Sequence, residues 1–119
     1  MSEKVKIYHN NRCSKSRGAL TLLQARGIDF ETVHYLDQPP SFVELKEIFA
    51  MLGLDSVRGM MRTKDDLYHE LGLADESLSN DALLKMIAEH PALLERPIVL
   101  VGKKAAIGRP LENIEAILS

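Results

Sequence analysis

The chain carries one cysteine, Cys13, and the patterns on either side of it place the thiol at a turn between a strand and a helix. Val5–Tyr8 has the alternating pattern of a strand, and residues 14–26 repeat apolar side chains at helical spacing until Gly27, a favourable helix stop. At such a turn the first backbone N–H groups of the helix lack intrahelical partners and the helix dipole is positive. We therefore predict a βα unit that presents an activated thiol.

The next patterns predict a second strand and a block of helices. Residues 30–35 are rich in strand formers, and a strand–helix–strand order predicts a parallel pair joined by a right-handed crossover. Ser41 and Glu44 form a capping box at the start of a helix that Gly53 ends. The block continues with one or two short helices over residues 55–73 and a longer helix from about residue 79 to residue 90.

The C-terminal patterns complete the predicted fold. Residues 97–101 form an apolar run typical of a central strand, followed by a turn, a returning strand over 105–107 and a last helix over 111–118. The order β-α-β, helical block, β-β-α is that of a thioredoxin-like domain. We predict an α/β fold with a mixed four-stranded sheet flanked by helices, and a helical insertion of about residues 41–92 between strands 2 and 3. Residues 1–119 are expected to form a single domain.

Charge, hydropathy and cysteine count exclude several classes of function. The net charge of −2 argues against a nucleic-acid-binding protein, which is usually basic. No apolar run approaches the roughly 20 residues of a membrane span, and the N-terminus lacks the apolar core of a signal peptide, so we expect a cytoplasmic protein. One cysteine excludes an internal disulfide and a cysteine-cluster metal site, and we expect no metal or bound cofactor. Redox chemistry at Cys13 therefore needs a second sulfur from another molecule.

Cys13 is the candidate nucleophile. Three basic side chains lie within four residues of it, whereas a buried structural cysteine, the alternative, normally has apolar neighbours. Ser16 and Arg17 follow three and four residues later, so a helix that starts here brings both near the sulfur. Ser16 either donates a hydrogen bond to a thiolate or acts as an ordinary helix cap. His9, at the end of the first strand, either favours the thiolate as a donor or cation or is a surface residue.

Three arginines in later loops are candidate anion ligands. Arg62, Arg96 and Arg109 carry planar, permanently charged guanidinium groups, which suit tetrahedral oxyanions through paired hydrogen bonds. Arg58 competes with Arg62 for this role. Any one of them is otherwise a surface residue, so they form a site only if the fold brings their loops beside the thiol. Pro97 begins the central strand, where thioredoxin-like folds have a cis-proline facing the active thiol, and the sequence leaves its isomer open.

A set of motifs that covers nearly the whole chain in order makes it resemble a known family, the glutaredoxin-coupled arsenate reductases. The segment around the cysteine, Arg12-Cys13-Ser14-Lys15-Ser16-Arg17, is most similar to a subgroup of uncharacterised relatives. The other motifs that carry the resemblance are Ile7-Tyr8-His9-Asn10, His34-Tyr35-Leu36, Ser56-Val57-Arg58 with Arg62, residues 68–73, Glu89-His90-Pro91, Arg96-Pro97-Ile98-Val99 and Gly108-Arg109-Pro110.

The resemblance implies a monomeric enzyme that reduces arsenate to arsenite without a bound cofactor. Glutathione, as co-substrate, attacks a cysteine–arsenic adduct, and glutaredoxin removes the resulting mixed disulfide. The resolving thiols are external, which agrees with a single cysteine. The site residues it implies are Cys13 as the nucleophile, Arg62, Arg96 and Arg109 as ligands that hold the oxyanion and stabilise the thiolate, and His9, Ser16 and Arg17 as auxiliary residues beside the sulfur.

Three other functions stay open on the sequence. Cys13-Ser14-Lys15-Ser16 has the Cys-x-x-Ser spacing of a monothiol oxidoreductase that acts on glutathione mixed disulfides. A non-catalytic regulator that binds RNA polymerase, as in the same superfamily, is the second alternative. A cysteine phosphatase is the least favoured, because its cysteine and arginine are separated by five residues and Cys13 and Arg17 by three.

Overall fold

A computed structural model describes residues 4–118 of the chain. These residues divide into two compact units, the first comprising residues 4–38 and 96–118 and the second residues 39–95. The strands all belong to the first unit, whereas the second is helical. In chain order the elements are β1 Val5–Tyr8, α1 Ser14–Ala25, β2 Glu31–Val33, α2 Phe42–Leu52, a 3-10 helix Val57–Met60, α3 Asp66–Glu70, α4 Asn80–Glu89, a 3-10 helix Pro91–Leu93, β3 Ile98–Val101, β4 Lys104–Ile107 and α5 Glu112–Leu118.

The first unit is built on a mixed four-stranded sheet in the order β2-β1-β3-β4. β1 runs parallel to β2, and the β1–β3 and β3–β4 pairs are antiparallel. The parallel pair is joined through α1, as the strand–helix–strand pattern predicts.

One end of the sheet gathers four loops. Tyr8, the last residue of β1, pairs with Val33 at the end of β2 and with Ile98 at the start of β3. Ile98 in turn pairs with Ile107, the last residue of β4. The register therefore places four loops at the same end of the sheet, namely residues 9–13, 34–37, 96–97 and 108–110.

One face of the sheet is covered by α1 and α5. Ile7 of β1 pairs directly with Val99 of β3, so the two side chains lie on the same face. Burial of this apolar face against the helices is the main favourable contribution to folding of the first unit. The buried members of the cluster are Val5, Ile7, Ala19, Leu23, Val99, Val101 and Ile114.

The second unit contains α2 packed on α4. The Ser41 hydroxyl oxygen accepts a hydrogen bond from the Glu44 backbone N–H at 3.1 Å, which caps α2 at its N-terminus. Gly53 ends the same helix with a left-handed φ of +67°. The buried residues of the two helices are Leu45, Ile48, Leu83, Leu84 and Ile87.

The predicted α/β class, with a mixed four-stranded sheet and a helical block between β2 and β3, is confirmed. The second strand is shorter than predicted, because the His34 carbonyl accepts hydrogen bonds from the N–H groups of Asp37 and Gln38 and turns the chain. β4 begins one residue early, at Lys104, because a two-residue turn containing Gly102 (φ +61°) joins it to β3. The organisation as a single domain stays a prediction. None of the helices described within residues 4–118 combines the length and apolar character that crossing a bilayer demands.

Candidate active site

Cys13 lies where the loop after β1 enters α1. It is the N-cap residue of α1, with extended backbone angles (φ −98°, ψ 121°), and its carbonyl accepts the N–H of Arg17 at 3.0 Å. Its own N–H donates to the Asn10 carbonyl at 3.0 Å, which closes a tight turn. The first turn of α1 contains no acidic residue, so the positive end of the helix dipole acts on the thiol unopposed by any acid there.

The pKa of the Cys13 thiol is lowered from its ordinary value to about 7. Burial by itself raises this pKa, because Cys13 is only 8% exposed and burial disfavours the charged thiolate. Hydrogen bonds from the Ser16 N–H, the Arg96 side chain and the Lys15 N–H outweigh burial, and the charge of the Arg96 guanidinium adds to them. The thiolate is therefore more populated near neutral pH than in an ordinary cysteine.

Arg96 and Arg109, two of the predicted oxyanion ligands, lie beside this sulfur. Nη2 of Arg109 is 3.5 Å from Cys13 Sγ, and Nε of Arg109 donates to the Arg96 carbonyl at 2.7 Å. The Arg96–Pro97 and Arg109–Pro110 peptide bonds are both cis. The loop before β3 and the loop after β4 are thus joined by a hydrogen bond, and both bring a guanidinium group to the thiol.

Gly108 allows those two loops to meet. Its N–H donates to the Pro97 carbonyl at 2.9 Å. A Cβ atom at this position would lie 2.6 Å from Cδ1 of Ile114 and 2.9 Å from Cγ of Pro97, closer than packed atoms tolerate. A side chain at residue 108 would therefore force Ile114 or Pro97 to shift, and glycine lets the two loops approach this closely.

Ser16 and Arg17 hold the loop that ends at Cys13. The buried Ser16 Oγ accepts the Asn10 N–H at 3.3 Å, and Arg17 Nη1 donates to the Asn11 carbonyl at 2.8 Å. Arg17 thus binds the backbone of the loop. Its guanidinium group holds the loop that carries Cys13 and is bonded to the Asn11 carbonyl, not to the sulfur. Asn10 and Asn11 were not among the predicted site residues, although asparagine is common in turns and Asn10 belongs to the motif Ile7-Tyr8-His9-Asn10.

His9 is buried, with 2% of its surface exposed, so the alternative that it is a surface residue is wrong. Its Nε2 lies 2.6 Å from Asn11 Oδ1, and its ring meets the His34 ring edge-on with centroids 5.9 Å apart. The other ring nitrogen, Nδ1, is buried and has no hydrogen-bond partner among residues 4–118. The His9 side chain therefore lies on the buried side of the loop, and its Nδ1 is an unsatisfied polar atom.

Tyr35 is a residue of this region to which the sequence assigned no separate role. It is fully buried, and the side chains of Arg96 and Asn10 lie close enough to its hydroxyl to favour the ionised form. Burial raises the pKa of the Tyr35 hydroxyl, and the positive charge of Arg96 partly offsets that effect. The signals in the sequence were its position at the end of a predicted strand and its place in the motif His34-Tyr35-Leu36.

Arg62, the third predicted oxyanion ligand, lies in the second unit between two carboxylates. Its Nε and Nη2 donate to the Asp65 carboxylate at 2.6 and 3.3 Å, and its Nη1 donates to Glu95 Oε1 at 3.0 Å. A β-bridge between Met61 and Leu94 places the segments of Arg62 and Glu95 side by side. The role of Arg62 at an oxyanion stays a prediction.

Arg58, which competed with Arg62 on the sequence, joins three parts of the second unit. Its Nε donates to the Tyr68 hydroxyl at 3.0 Å, and its Nη2 donates to the Leu73 and Asp75 carbonyls at 3.0 and 2.7 Å. These bonds hold the chain after α3 in place, which is a structural role.

A mixed four-stranded sheet, a thiol at the N-terminus of the helix after β1 and a cis-proline before β3 define a thioredoxin-like protein. A solved structure described as an arsenate reductase from Vibrio cholerae is similar to this chain, with a TM-score of 0.92 and 49% identity. The similarity covers 97% of this chain and 98% of the Vibrio cholerae chain. This likeness agrees with the predicted thioredoxin-like fold.

The chain belongs to the ArsC family, whose model matches residues 8–117. A relative from Neisseria meningitidis serogroup A, named arsenate reductase, is 69% identical over 114 residues, which are 96% of this chain and 97% of the relative. Uncharacterized protein YfgD of Escherichia coli K12 is 49% identical over 118 residues, which are 99% of each chain. The resemblance that the sequence motifs indicated is confirmed.

Proposed function

We propose that this chain reduces arsenate to arsenite, with Cys13 as the nucleophile and external thiols as the reductant. The observation that carries the proposal is a thiol of pKa about 7 at a helix N-terminus with a guanidinium nitrogen 3.5 Å from its sulfur. The name arsenate reductase, borne by a relative that is 69% identical, supports the same activity here.

In the proposed first step, the Cys13 thiolate attacks the arsenic of arsenate. A sulfur–arsenic bond forms, an arsenic–oxygen bond breaks, and the departing oxygen leaves as water after protonation. Arg96 and Arg109 donate hydrogen bonds to the remaining oxygens and offset the negative charge as the two anions meet. Both guanidinium groups already lie beside the thiol, so little reorganisation precedes attack.

In the second step, glutathione attacks the Cys13 sulfur of the adduct. A sulfur–sulfur bond forms, the sulfur–arsenic bond breaks, and its electron pair stays on arsenic, which leaves as arsenite. Glutaredoxin then attacks the mixed disulfide and releases the Cys13 thiolate. Two external thiols are oxidised for each arsenate reduced, so the proposal needs neither a second cysteine in this chain nor a bound cofactor.

The auxiliary residues act through the loop in this proposal. Ser16 and Arg17 fix the turn that carries Cys13, and His9 packs behind it. Arg62 is kept as a third proposed oxyanion ligand. The Arg62 guanidinium group makes ion pairs with the Asp65 and Glu95 carboxylates. An oxyanion bound by Arg62 would therefore share its N–H groups with these two carboxylates.

The experiment that tests this proposal stops the reaction before glutaredoxin acts. The protein is incubated with arsenate and glutathione alone, arsenite is measured, and the intact mass of the protein is recorded. We expect a single equivalent of arsenite and a mass increase of one glutathione, located on Cys13, with continuous turnover once glutaredoxin is added.

The matched control omits arsenate, and Cys13 is then expected to stay a free thiol. Absence of arsenite together with an unmodified thiol in the complete mixture would overturn the reductase proposal. Arsenite release without any mixed disulfide on Cys13 would overturn the mechanism.

A monothiol oxidoreductase is the second candidate, favoured by Ser16 at the position where a dithiol enzyme has its resolving cysteine. A low-pKa thiolate is also the reactive species in attack on glutathione mixed disulfides. Release of glutathione from a glutathionylated peptide, with no arsenite formed from arsenate, would favour this candidate over the reductase.

A further inference from the structure

We propose that a pocket formed by residues 9–12 together with His34, Leu36 and Asp37 is the subsite for a zwitterionic thiol, the class of co-substrate that supplies the second sulfur. The pocket has a volume of about 270 Å³ and lies entirely within the first unit. The inference rests on the proposed function, because it gives a place to the external thiol that a single-cysteine enzyme requires.

The position of the pocket relative to the nucleophile is the first support. Its wall is the loop that leads directly into Cys13, and the Cys13 N–H is bonded to Asn10, one of the wall residues, at 3.0 Å. Arg96 and Arg109 come from other loops and do not line it. An oxyanion at the two arginines and a ligand in the pocket therefore contact separate sets of residues, and the pocket lining ends at Arg12, one residue before Cys13.

The charges of the pocket are the second support. Arg12 and Asp37 both line it, both are exposed, and neither side chain forms an ion pair within residues 4–118. A guanidinium group recognises a carboxylate, and a carboxylate recognises an ammonium group. Opposite charges that line one pocket and lack partners therefore fit a ligand that carries both groups, such as an amino-acid or peptide thiol.

The rigidity of the wall is the third support. The Arg12 N–H donates to Asn10 Oδ1 at 2.9 Å, and His9 and Asn11 are joined at 2.6 Å. On the other side, two N–H groups that follow His34 donate to its carbonyl at 2.9 Å each. Leu36, which is 44% exposed, adds an apolar contact for the methylene groups of a peptide. A wall fixed in this way loses little conformational entropy when a ligand binds.

The test measures capture of a disulfide by Cys13 and needs no arsenate, so its result is independent of the reductase activity. The Cys13 thiolate attacks oxidised glutathione, a mixed disulfide forms, and a glutathione thiolate leaves. The second-order rate constant is compared with that for bis(2-hydroxyethyl) disulfide, which has no charged groups. The ratio of the two rate constants cancels any change in the reactivity of Cys13 itself.

We expect Arg12→Gln and Asp37→Asn each to lower this ratio about threefold, because each removes one exposed ion pair with the ligand. We expect the double variant to lower the ratio about tenfold, because the two effects add. Asp29→Asn, which removes an exposed carboxylate outside the pocket, is the matched control and is expected to leave the ratio unchanged. A ratio unchanged in the double variant, or lowered equally by the Asp29 control, would overturn the proposal. A lowered ratio in a protein that forms no arsenite would support the pocket and contradict the proposed function.

Discussion

Cys13 is buried and yet ionises more readily than a free thiol, because specific donors outweigh burial. Backbone N–H groups at the start of α1 supply part of the effect, and Arg96 supplies the rest through a hydrogen bond and its charge. The backbone contribution belongs to the fold and persists in any variant that keeps α1. The Arg96 contribution belongs to one side chain and can be removed by substitution.

Arg96→Gln is expected to raise the pKa of Cys13 above its wild-type value of about 7, because burial remains while a hydrogen bond and a positive charge are lost. The measurement is the rate of alkylation by iodoacetamide as a function of pH. In the wild type this rate rises through a pKa of about 7, and in the variant the rise moves to higher pH.

Arg26→Gln is the matched control, since Arg26 lies just after α1 in an exposed ion pair with Glu115 and does not act on the thiol. The control is expected to titrate as the wild type does. A profile for Arg96→Gln that coincides with the wild type would show that Arg96 does not activate Cys13.

Among the elements, the corner between β4 and α5 is closely packed at Gly108. Arg109 is placed by a turn in which Gly108 packs against Pro97 and Ile114 without room for a Cβ atom. The sequence predicted both strands and the last helix of this corner. Local patterns could not show that residues 96 and 109 meet, because their contact depends on the antiparallel register of β3 and β4.

Gly108→Ala is expected to lower the free energy of unfolding by about 1–3 kcal/mol, because its Cβ overpacks the corner. Gly18→Ala is the matched control, since its nearest neighbour is Leu111 Cδ2 at 4.0 Å and it lies within α1. The control is expected to gain about 0.5–1 kcal/mol from helix propensity. Urea denaturation measures both, and an unaffected or more stable Gly108→Ala protein would contradict the described packing.

At the scale of the whole molecule, counting cysteines determined more of the proposed chemistry than any local motif. A single thiol makes the reductant external, and the resemblance supplied the identity of that reductant. The order of elements gave the fold, because each strand and helix had a clear periodicity and clear end signals such as Gly53 and Ser41. The pocket beside Arg12 and Asp37 was not predictable, since those residues are separated by 24 positions and are brought together only by the parallel pairing of β1 and β2.

In the proposed mechanism the Cys13 sulfur transfers electrons from external thiols to arsenate, and a comparison of the wild type with a Cys13 variant tests this role. Arsenite release is followed with saturating arsenate, glutathione and glutaredoxin for the wild type and for Cys13→Ser, which keeps the size of the side chain and removes the thiolate. We predict sustained arsenite release by the wild type and none above the protein-free background by the variant. Equal rates of arsenite release by the two proteins would contradict the account.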